Sequence, residues 1–244
     1  MDLDLAACAL FLDLDGTLID IAPTPDGVTI SEELPNLLER LEKGLDGALA
    51  IITGRPIVDV DRLLAPLAPV AAGVHGAEIR PLPGGEIIPS VAAIEDDIVE
   101  AVREVASGHS GAYFELKRYS VAVHYRRNPA LAPVLELAMA RLLQGGRRDH
   151  LVLAHGRQVL EIVPRQISKG VALEVIMDTP RFAGRRPIMV GDDITDISAM
   201  RAAVSLGGNG LKVAGERFSR AEADFSGTSD VIAWLKAEAR RLET

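Results

Sequence analysis

The sequence predicts an α/β fold in which a parallel sheet is covered by helices and a second, smaller α/β domain is inserted into the chain. Apolar strands alternate with helices towards both ends of the sequence, and the order of elements changes in the middle. Apolar residues make up 48% of the chain and aromatic residues only 4%, which is typical of a buried parallel sheet with an aliphatic core. The 244 residues also exceed the usual size of one domain.

Residues 1–80 are predicted to form the first part of the parallel-sheet domain. Ser31 is the expected N-cap of the first helix, and Pro56 is the expected first residue of the second helix. Strands joined by helices form parallel sheets with right-handed crossovers. In chain order, the predicted elements are the strand ACALFLDL, the helix SEELPNLLERLEKG, the strand GALAIITGR, the helix PIVDVDRLLAP and the strand VAAGVHG.

Residues 165–244 resume the alternation and complete this domain. Ser168 lies at the start of the first helix of the stretch. The predicted elements are the helix SKGVALEVIMDT, the strand RPIMVGDD, the helix TDISAMRAA, the strand AVSLGGN and the closing helix TSDVIAWLKAEARRLE.

Residues 81–164 are predicted to be an inserted α/β domain, because they follow a different order: helix, strand, strand, and the same again. Asn128 and Pro129 mark the start of the second helix. The helices are VAAIEDDIVEAVREVA and NPALAPVLELAMARLL, and the hairpins are AYFELK with SVAVHYR and LVLAH with QVLEIV.

Composition excludes several classes of function. The net charge of −9 argues against nucleic-acid binding, which needs concentrated Lys and Arg. No apolar run approaches the roughly 20 residues of a membrane helix, and the first residues are acidic where a signal peptide is basic. The single cysteine, Cys8, is expected to be a small buried residue. We therefore expect a cytoplasmic monomer with no membrane partner.

Acidic residues end two of the predicted strands. Asp13 and Asp15 follow the first strand, and Asp192 and Asp193 end the strand RPIMVGDD. Because ligands of open α/β sheets bind beyond the carboxyl ends of the strands, these acids are expected to meet there. Adjacent carboxylates repel each other unless a cation lies between them, and Mg²⁺ prefers such hard oxygen ligands together with a substrate phosphate.

Three further polar signals fit a phosphate site. Gly16 allows close backbone approach, Thr53 offers a hydroxyl after the second strand, and Lys169 offers a positive charge at a helix start, where phosphate is favoured. A carboxylate beside Mg²⁺ can also attack phosphorus and form an aspartyl phosphate. Each signal alone is common in turns and caps. Their joint order along one sheet predicts a phosphoryl-transfer site.

The motifs DLDGTL, ITGR, SKG and GDDITD resemble the four ordered motifs of the haloacid dehalogenase superfamily of magnesium-dependent phosphatases. The resemblance implies a Rossmann-like parallel-sheet hydrolase core, formed by residues 1–80 and 165–244, with an inserted α/β cap domain over residues 81–164 that selects the substrate. Within the superfamily, the stretches GVHGAEIR, KRYSVAVHYR and LEIVPRQISKG resemble trehalose-6-phosphate phosphatases.

The resemblance also implies catalytic roles. Asp13 would be the nucleophile, and Asp15 the general acid that protonates the leaving sugar oxygen and the general base that then activates water. Thr53 and Lys169 would hold the phosphoryl oxygens. Such positioning and charge neutralisation are what phosphoryl transfer requires.

The same resemblance implies a Mg²⁺ cofactor. Its ligands would be Asp13, the backbone carbonyl of Asp15, and Asp192, with Asp193 and Asp196 as supporting partners.

Substrate-binding candidates lie in both domains. In the core they are Gly54 and Arg55 of the second motif and His75 and Glu78, which are hinge or ligand candidates where the chain leaves the core. In the cap, strand alternation places Glu115, Lys117, His124, Arg126 and Glu161 on the sheet face that helices leave open. Mixed donors and acceptors suit a polyhydroxylated ligand.

A small-molecule sugar phosphate is therefore the expected substrate, and trehalose 6-phosphate is its most specific form. The chain departs from the family pattern at Val163, Gln166 and Ile197, which lie outside the catalytic motifs. Alternatives within the superfamily are sucrose-phosphate and mannosyl-phosphoglycerate phosphatases. Outside it, a phosphate-storing signalling receiver shares the acids, the Thr and the Lys but is about half this length, and a binding protein without turnover would not need every motif intact.

Overall fold

The computed structural model describes residues 5–21, 30–145, 148–156 and 158–243. The chain divides into two compact units. The first combines Met1–Ser90 with Ser168–Thr244, and the second is Val91–Ile167. None of the helices in the described ranges is long and apolar enough to cross a membrane.

The described residues form strands and α-helices that alternate along much of the chain. The strands are β1 (Cys8–Leu12), β2 (Leu49–Ile52), β3 (Val70–Gly73), β4 (Glu78–Arg80), β5 (Ile88–Pro89), β6 (Tyr113–Leu116), β7 (Val121–His124), β8 (Leu151–Gly156), β9 (Val159–Pro164), β10 (Arg186–Gly191) and β11 (Asn209–Lys212). The α-helices are α1 (Glu33–Gly44), α2 (Ile57–Leu64), α3 (Asp96–Ser107), α4 (Ala132–Leu142), α5 (Lys169–Met177), α6 (Asp196–Ser205) and α7 (Thr228–Leu242).

The first unit is built on a seven-stranded sheet in the order β11-β10-β1-β2-β3-β4-β5. Strand β1 pairs in parallel with both β10 and β2, so the chain reverses its direction of winding at β1. The residues of β1 and β2 are completely buried, as expected for central strands covered on both faces. The predicted parallel-sheet α/β class is confirmed, and the carboxyl ends of β1, β2 and β10 lie at one edge.

Two antiparallel strands extend this sheet beyond β3. Strand β4 pairs with β3, and β5 pairs with β4. Strand β4 ends the range predicted for the core, whereas β5 falls in the range predicted for the cap, and both are too short to show a hydrophobic period. Residues 81–90 consequently lie in the first unit, and the second unit begins at Val91, ten residues after the expected boundary.

The predicted strand AVSLGGN was wrong. Helix α6 continues to Ser205, and the strand is β11, which begins at Asn209. Gly207 has a φ of +78°, the left-handed conformation that commonly ends a helix. The apolar Val204 and Leu206 are 61% and 45% exposed, so these side chains cover no sheet face although they suggested a strand.

The second unit is a four-stranded antiparallel sheet in the order β6-β7-β9-β8, with α3 and α4 packed against it. Its elements occur in the predicted order of helix and two strands, repeated. Val121, Val123, Leu160 and Ile162 form a core with α3 and α4 and share one face of the sheet by register. Arg157, which lies between the two strands of the second predicted hairpin, is outside the described residues.

Candidate active site

A pocket of about 490 Å³ opens at the carboxyl edge of the parallel sheet in the first unit. Asp13 directly follows β1, Thr53 follows β2, and Asp192 follows β10. The sheet itself fixes two of them, because Asp13 N donates to Val190 O at 3.0 Å and Thr53 N donates to Ala72 O at 2.9 Å. The pocket is lined by Asp13, Asp15, Ile21, Thr53, Gly54, Arg55, His75, Lys169, Asp192, Asp193, Thr195, Glu216 and Arg217.

Lys169 is the first residue of α5 and lies between two buried carboxylates. Ser168 caps this helix by accepting a hydrogen bond from Val171 N at 3.1 Å. Lys169 Nζ donates to Asp13 Oδ1 and to Asp196 Oδ1, each at 2.6 Å. Burial by itself would lower the pKa of Lys169, but the two carboxylates outweigh it and raise that pKa above its usual value. The ammonium group therefore stays charged inside the pocket wall.

Asp196 joins the lysine to the loop after β10. Its second oxygen, Oδ2, accepts from the backbone N–H groups of Asp192 and Asp193 at 3.1 and 2.9 Å. The side chain is fully buried. A Cβ at Gly191 would lie 2.4 Å from the Asp196 carboxyl carbon, so only glycine allows this approach. Asp196 therefore holds Lys169 and the Asp192 loop in one arrangement.

Asp13, Asp192 and Asp196 form a cluster whose carboxylate oxygens lie within 4.8 Å of one another. Burial raises the pKa of Asp192 to about 6, and the neighbouring Asp196 and Asp193 add to the rise. The pKa of Asp13 is raised by burial as well, against the opposing charge of Lys169. A single ammonium thus faces three crowded carboxylates. The one positive charge of Lys169 therefore does not balance the three carboxylates of the cluster when they are ionised.

The cluster fits a divalent cation. Asp192 Oδ1 is buried and has no hydrogen-bond partner among the described residues. A buried, unpaired carboxylate oxygen is costly, and a hard cation with oxygen ligands would satisfy it. Gly16, with a φ of +81°, lies so close to Asp192 that a Cβ there would be 2.3 Å from Oδ2. Gly16 therefore makes room for the Asp192 carboxylate.

The side chains of Asp193 and Asp15 lie outside the buried carboxylate cluster. Asp193 lines the pocket but is exposed and is not part of the buried cluster, in which Asp196 lies instead. The side chain of Asp15 is paired with Arg55: Nε donates to Oδ2 and Nη2 to Oδ1, both at 2.6 Å. The expected Asp15 ligand was its backbone carbonyl, and the pairing of its side chain leaves that carbonyl a candidate.

The loop after β2 is fastened to the turn after β3. Thr53 O accepts from His75 N and Arg55 O accepts from Val74 N, each at 2.9 Å. Val74 and His75 have φ values of +49° and +57°, a conformation that side chains with a Cβ rarely adopt. Gly54 lets the exposed His75 ring approach, because a Cβ there would be 2.7 Å from it. Gly54, Arg55 and His75 all line the pocket.

Glu78 does not line the pocket. It lies in β4, is 1% exposed, and its Oε2 accepts from Ile57 N at 3.0 Å. Ile57 begins α2, so the carboxylate binds an otherwise unpaired N–H at a helix start. The structure places Glu78 in a supporting position at the start of α2, outside the pocket lining.

Glu216 and Arg217 line the pocket and were not predicted. They lie in the loop that follows β11, at the same carboxyl edge as the catalytic motifs. Because the last parallel strand is predicted at AVSLGGN, its carboxyl end is expected at Asn209, and the loop that carries Glu216 and Arg217 is not expected at the edge of the sheet. A correct end for α6, signalled by the Gly207-Gly208 pair, would have identified the loop as part of the site.

The remaining substrate-binding candidates lie in the second unit. By register Glu115, His124 and Glu161 are on the sheet face opposite α3 and α4, whereas Lys117 and Arg126 lie just beyond the ends of β6 and β7. Lys117 Nζ donates to Glu161 Oε1 at 3.0 Å, and Ser120 Oγ donates to the same oxygen. His124 Nε2 lies 2.6 Å from Glu115 Oε2. Arg126, just after β7, is exposed, and it occurs in none of the ion pairs of the described residues.

Known proteins share this sequence and this architecture. A family model for trehalose-phosphatase matches residues 11–226. A trehalose-6-phosphate phosphatase of Escherichia coli (strain K12) is 38% identical over 232 residues, which cover 95% of this chain and 86% of that protein. A probable trehalose-phosphate phosphatase of Sinorhizobium fredii is 39% identical over 211 residues, covering 86% and 79% of the two chains.

Solved structures share the fold at lower identity. A trehalose-6-phosphate phosphatase of Aspergillus fumigatus aligns with a TM-score of 0.72 at 23% identity, covering 96% of this chain and 93% of that one. A haloacid dehalogenase-like hydrolase from Bacteroides thetaiotaomicron aligns with a TM-score of 0.70 at 18% identity, covering 94% and 98%. The family model and the two bacterial relatives together identify the chain: it belongs to the trehalose-phosphatase family and has a haloacid dehalogenase-like fold.

Proposed function

We propose that this protein hydrolyses trehalose 6-phosphate to trehalose and phosphate, with Mg²⁺ as its cofactor and an aspartyl phosphate as the intermediate. The observation that carries the proposal is the buried Asp13–Lys169–Asp196 arrangement beside Asp192, in a chain that belongs to the trehalose-phosphatase family. It supports the proposal because the carboxylates of Asp13 and Asp192 and the ammonium group of Lys169 line one pocket.

Mg²⁺ would be held by Asp13 and Asp192, with the Asp15 backbone carbonyl as a third ligand. The unpaired Asp192 Oδ1 supports this assignment. Asp196 is occupied by Lys169 and by two backbone N–H groups, so it supports the ligands and is not itself required as one. When bound, the cation supplies charge neutralisation for the phosphoryl oxygens and for the crowded carboxylates.

Asp13 attacks in the first step. One of its carboxylate oxygens forms a bond to phosphorus while the bond from phosphorus to the sugar oxygen breaks. Asp15 gives its proton to that departing oxygen. Lys169 is held at 2.6 Å from Asp13, where its charge neutralises an oxygen of the phosphoryl group that joins the same carboxylate.

Water completes the reaction in the second step. Asp15, now a carboxylate, takes a proton from water while the water oxygen bonds to phosphorus. The bond from phosphorus to Asp13 breaks, so Asp13 is regenerated and inorganic phosphate leaves. Thr53 supports both steps because its Oγ1 accepts from Arg55 N at 3.2 Å, which leaves the hydroxyl hydrogen for a phosphoryl oxygen.

The second unit recognises the sugar. Its polar face pairs Lys117 with Glu161 and His124 with Glu115, and so offers both donors and acceptors. Sugar hydroxyls need both kinds of partner. Arg126 extends the face beyond β7.

A panel of sugar phosphates tests the proposed function. Phosphate release is measured from trehalose 6-phosphate, sucrose 6-phosphate, mannosyl-phosphoglycerate and glucose 6-phosphate, with Mg²⁺ or with a chelator. We expect the highest kcat/KM with trehalose 6-phosphate and no turnover without the cation. A higher kcat/KM for another member of the panel would reassign the substrate, and full turnover in the chelator would exclude the metal. An aspartyl phosphate that persists for minutes without product would indicate a phosphate-storing receiver instead.

A further inference from the structure

Arg55 occupies both carboxylate oxygens of Asp15. Nε and Nη2 each donate at 2.6 Å, the paired geometry in which a guanidinium fixes the orientation of a carboxylate as well as its position. The Arg55 side chain is 11% exposed and that of Asp15 is 32% exposed. Both groups line the pocket, so this pair is part of the pocket wall.

The backbone of Arg55 is fixed independently of this pair. Its N–H donates to Thr53 Oγ1 at 3.2 Å, and its carbonyl accepts from Val74 N at 2.9 Å. A ligand that draws the guanidinium away from Asp15 therefore moves a side chain and leaves the loop after β2 in place.

The pairing conflicts with the work assigned to Asp15. To donate a proton to the sugar oxygen, Asp15 must first take up that proton from solvent on an oxygen that Arg55 has released, and this oxygen must face the substrate when Asp15 later takes a proton from water. While both oxygens accept from Arg55, the carboxylate is oriented towards the guanidinium, and each oxygen has only its remaining lone pair for another partner. A phosphoryl group entering the same pocket is a dianion, and it competes for the guanidinium.

We propose that Arg55 is a positioning residue for Asp15: it holds the carboxylate before a phosphoryl group binds and releases one of its oxygens when that group takes over part of the guanidinium. This inference rests on the proposed function, because it needs Asp15 to be the acid and base. It goes further, since it makes proton transfer conditional on a phosphoryl group having bound.

A double-mutant cycle tests the inference. The kcat for trehalose 6-phosphate is measured for the natural chain, Arg55→Gln, Asp15→Asn and the double variant. If Arg55 acts through Asp15, its replacement misplaces the proton-transfer group and lowers kcat by roughly 100-fold in the natural background. In the Asp15→Asn background, where no proton transfer is left to misplace, the further loss in kcat should be less than about threefold.

Each outcome has a distinct meaning. Equal losses in both backgrounds would show that Arg55 only binds substrate and would overturn the inference while leaving the proposed function intact. Natural turnover in Asp15→Asn would overturn the acid–base assignment itself, and the inference with it. The matched control is Arg62→Gln, which removes an exposed arginine paired with Asp59 at 3.1 Å outside the pocket. Its kcat should not change.

A second measurement covers variants that turn over too slowly for the cycle. The rate of the first step is followed as a burst of p-nitrophenol from p-nitrophenyl phosphate and compared with the single-turnover rate on trehalose 6-phosphate. The nitrophenolate leaves without a proton, so Arg55→Gln should slow its release only about threefold while slowing sugar release by roughly 100-fold. Equal slowing of the two leaving groups would overturn the inference.

Discussion

The proposed reaction needs the ionised form of Asp13, whereas ionisation of this buried group lowers the stability of the fold without metal. Burial and two neighbouring carboxylates raise its pKa, so the ionised group is held at a cost in the free energy of folding. We expect Asp13→Asn to abolish phosphate release, because no aspartyl phosphate can form. The melting temperature without metal should not fall, since Lys169 keeps its bond to Asp196 at 2.6 Å. A kcat above about one hundredth of the natural value would contradict covalent catalysis by Asp13.

Arg217 is a pocket cation that no described carboxylate neutralises in an ion pair. It lines the pocket from the loop after β11, whereas Lys169 and Arg55 are both paired there with aspartates. We expect Arg217→Ala to raise the KM for trehalose 6-phosphate by about tenfold, the lower end for a hydrogen bond to a charged group, with little change in kcat. Arg220→Ala, an exposed arginine of the same loop outside the pocket, is the matched control. A KM unchanged in Arg217→Ala would remove this residue from the substrate site.

Three residues of the candidate site could be located from the sequence because they lie at strand ends. Asp13, Thr53 and Asp192 follow apolar runs, and parallel strands bring such ends together whatever the loops do. The Asp196 bridge was not predictable in detail, because the direction of a side chain in the first turn of α6 depends on how that helix packs. The pairing of Arg55 with Asp15 was not predictable either, because the two residues lie 40 positions apart and only the folded sheet brings them into contact.

At the scale of elements, Glu78 links β4 to the start of α2. Glu78→Ala would leave Ile57 N without its buried acceptor, at a cost of about 1–3 kcal/mol in the free energy of unfolding. For a chain of this size we expect a fall in melting temperature of roughly 2–10 °C, measured by thermal unfolding. Because Glu78 does not line the pocket, the KM for trehalose 6-phosphate should stay within about twofold of its natural value well below that temperature. A tenfold rise in KM without loss of stability would restore the ligand role expected from the sequence.

The elements that could be predicted differ from those that could not in length and periodicity. Long amphipathic helices such as α3 and α7, and buried strands such as β1, carry a clear pattern. Strand β5 has only two residues, too few for any period, so the sequence places the domain boundary at residue 81, before this strand. Leu116 has the register of a core position next to Val121, yet it is 55% exposed at the end of edge strand β6. Alternation alone does not show where a sheet stops being covered.

At the scale of the whole molecule, the metal site links stability to pH. A carboxyl group with a raised pKa binds its proton more tightly in the folded chain, so the stability it contributes is present at low pH and is lost as pH rises through the folded pKa. For Asp192 that loss extends from about pH 4 to just above its pKa of about 6. The chain without metal should therefore unfold more easily at pH 7.5 than at pH 5, as far as this group determines it.

Mg²⁺ at the proposed site should reverse this dependence, because it would bind the ionised carboxylates and compete with protons for them. We expect saturating Mg²⁺ to raise the melting temperature at pH 7.5 by several degrees, on the order of 2 kcal/mol in the free energy of unfolding, and to have a much smaller effect at pH 5.

Asp192→Asn should be insensitive to Mg²⁺ at both pH values, whereas Asp224→Asn, which changes an exposed carboxylate outside the cluster, should respond as the natural chain does. Equal stabilisation at pH 5 and pH 7.5, or an undiminished response in Asp192→Asn, would show that the cation binds elsewhere. The test needs no substrate, so it examines the metal site separately from the phosphatase activity.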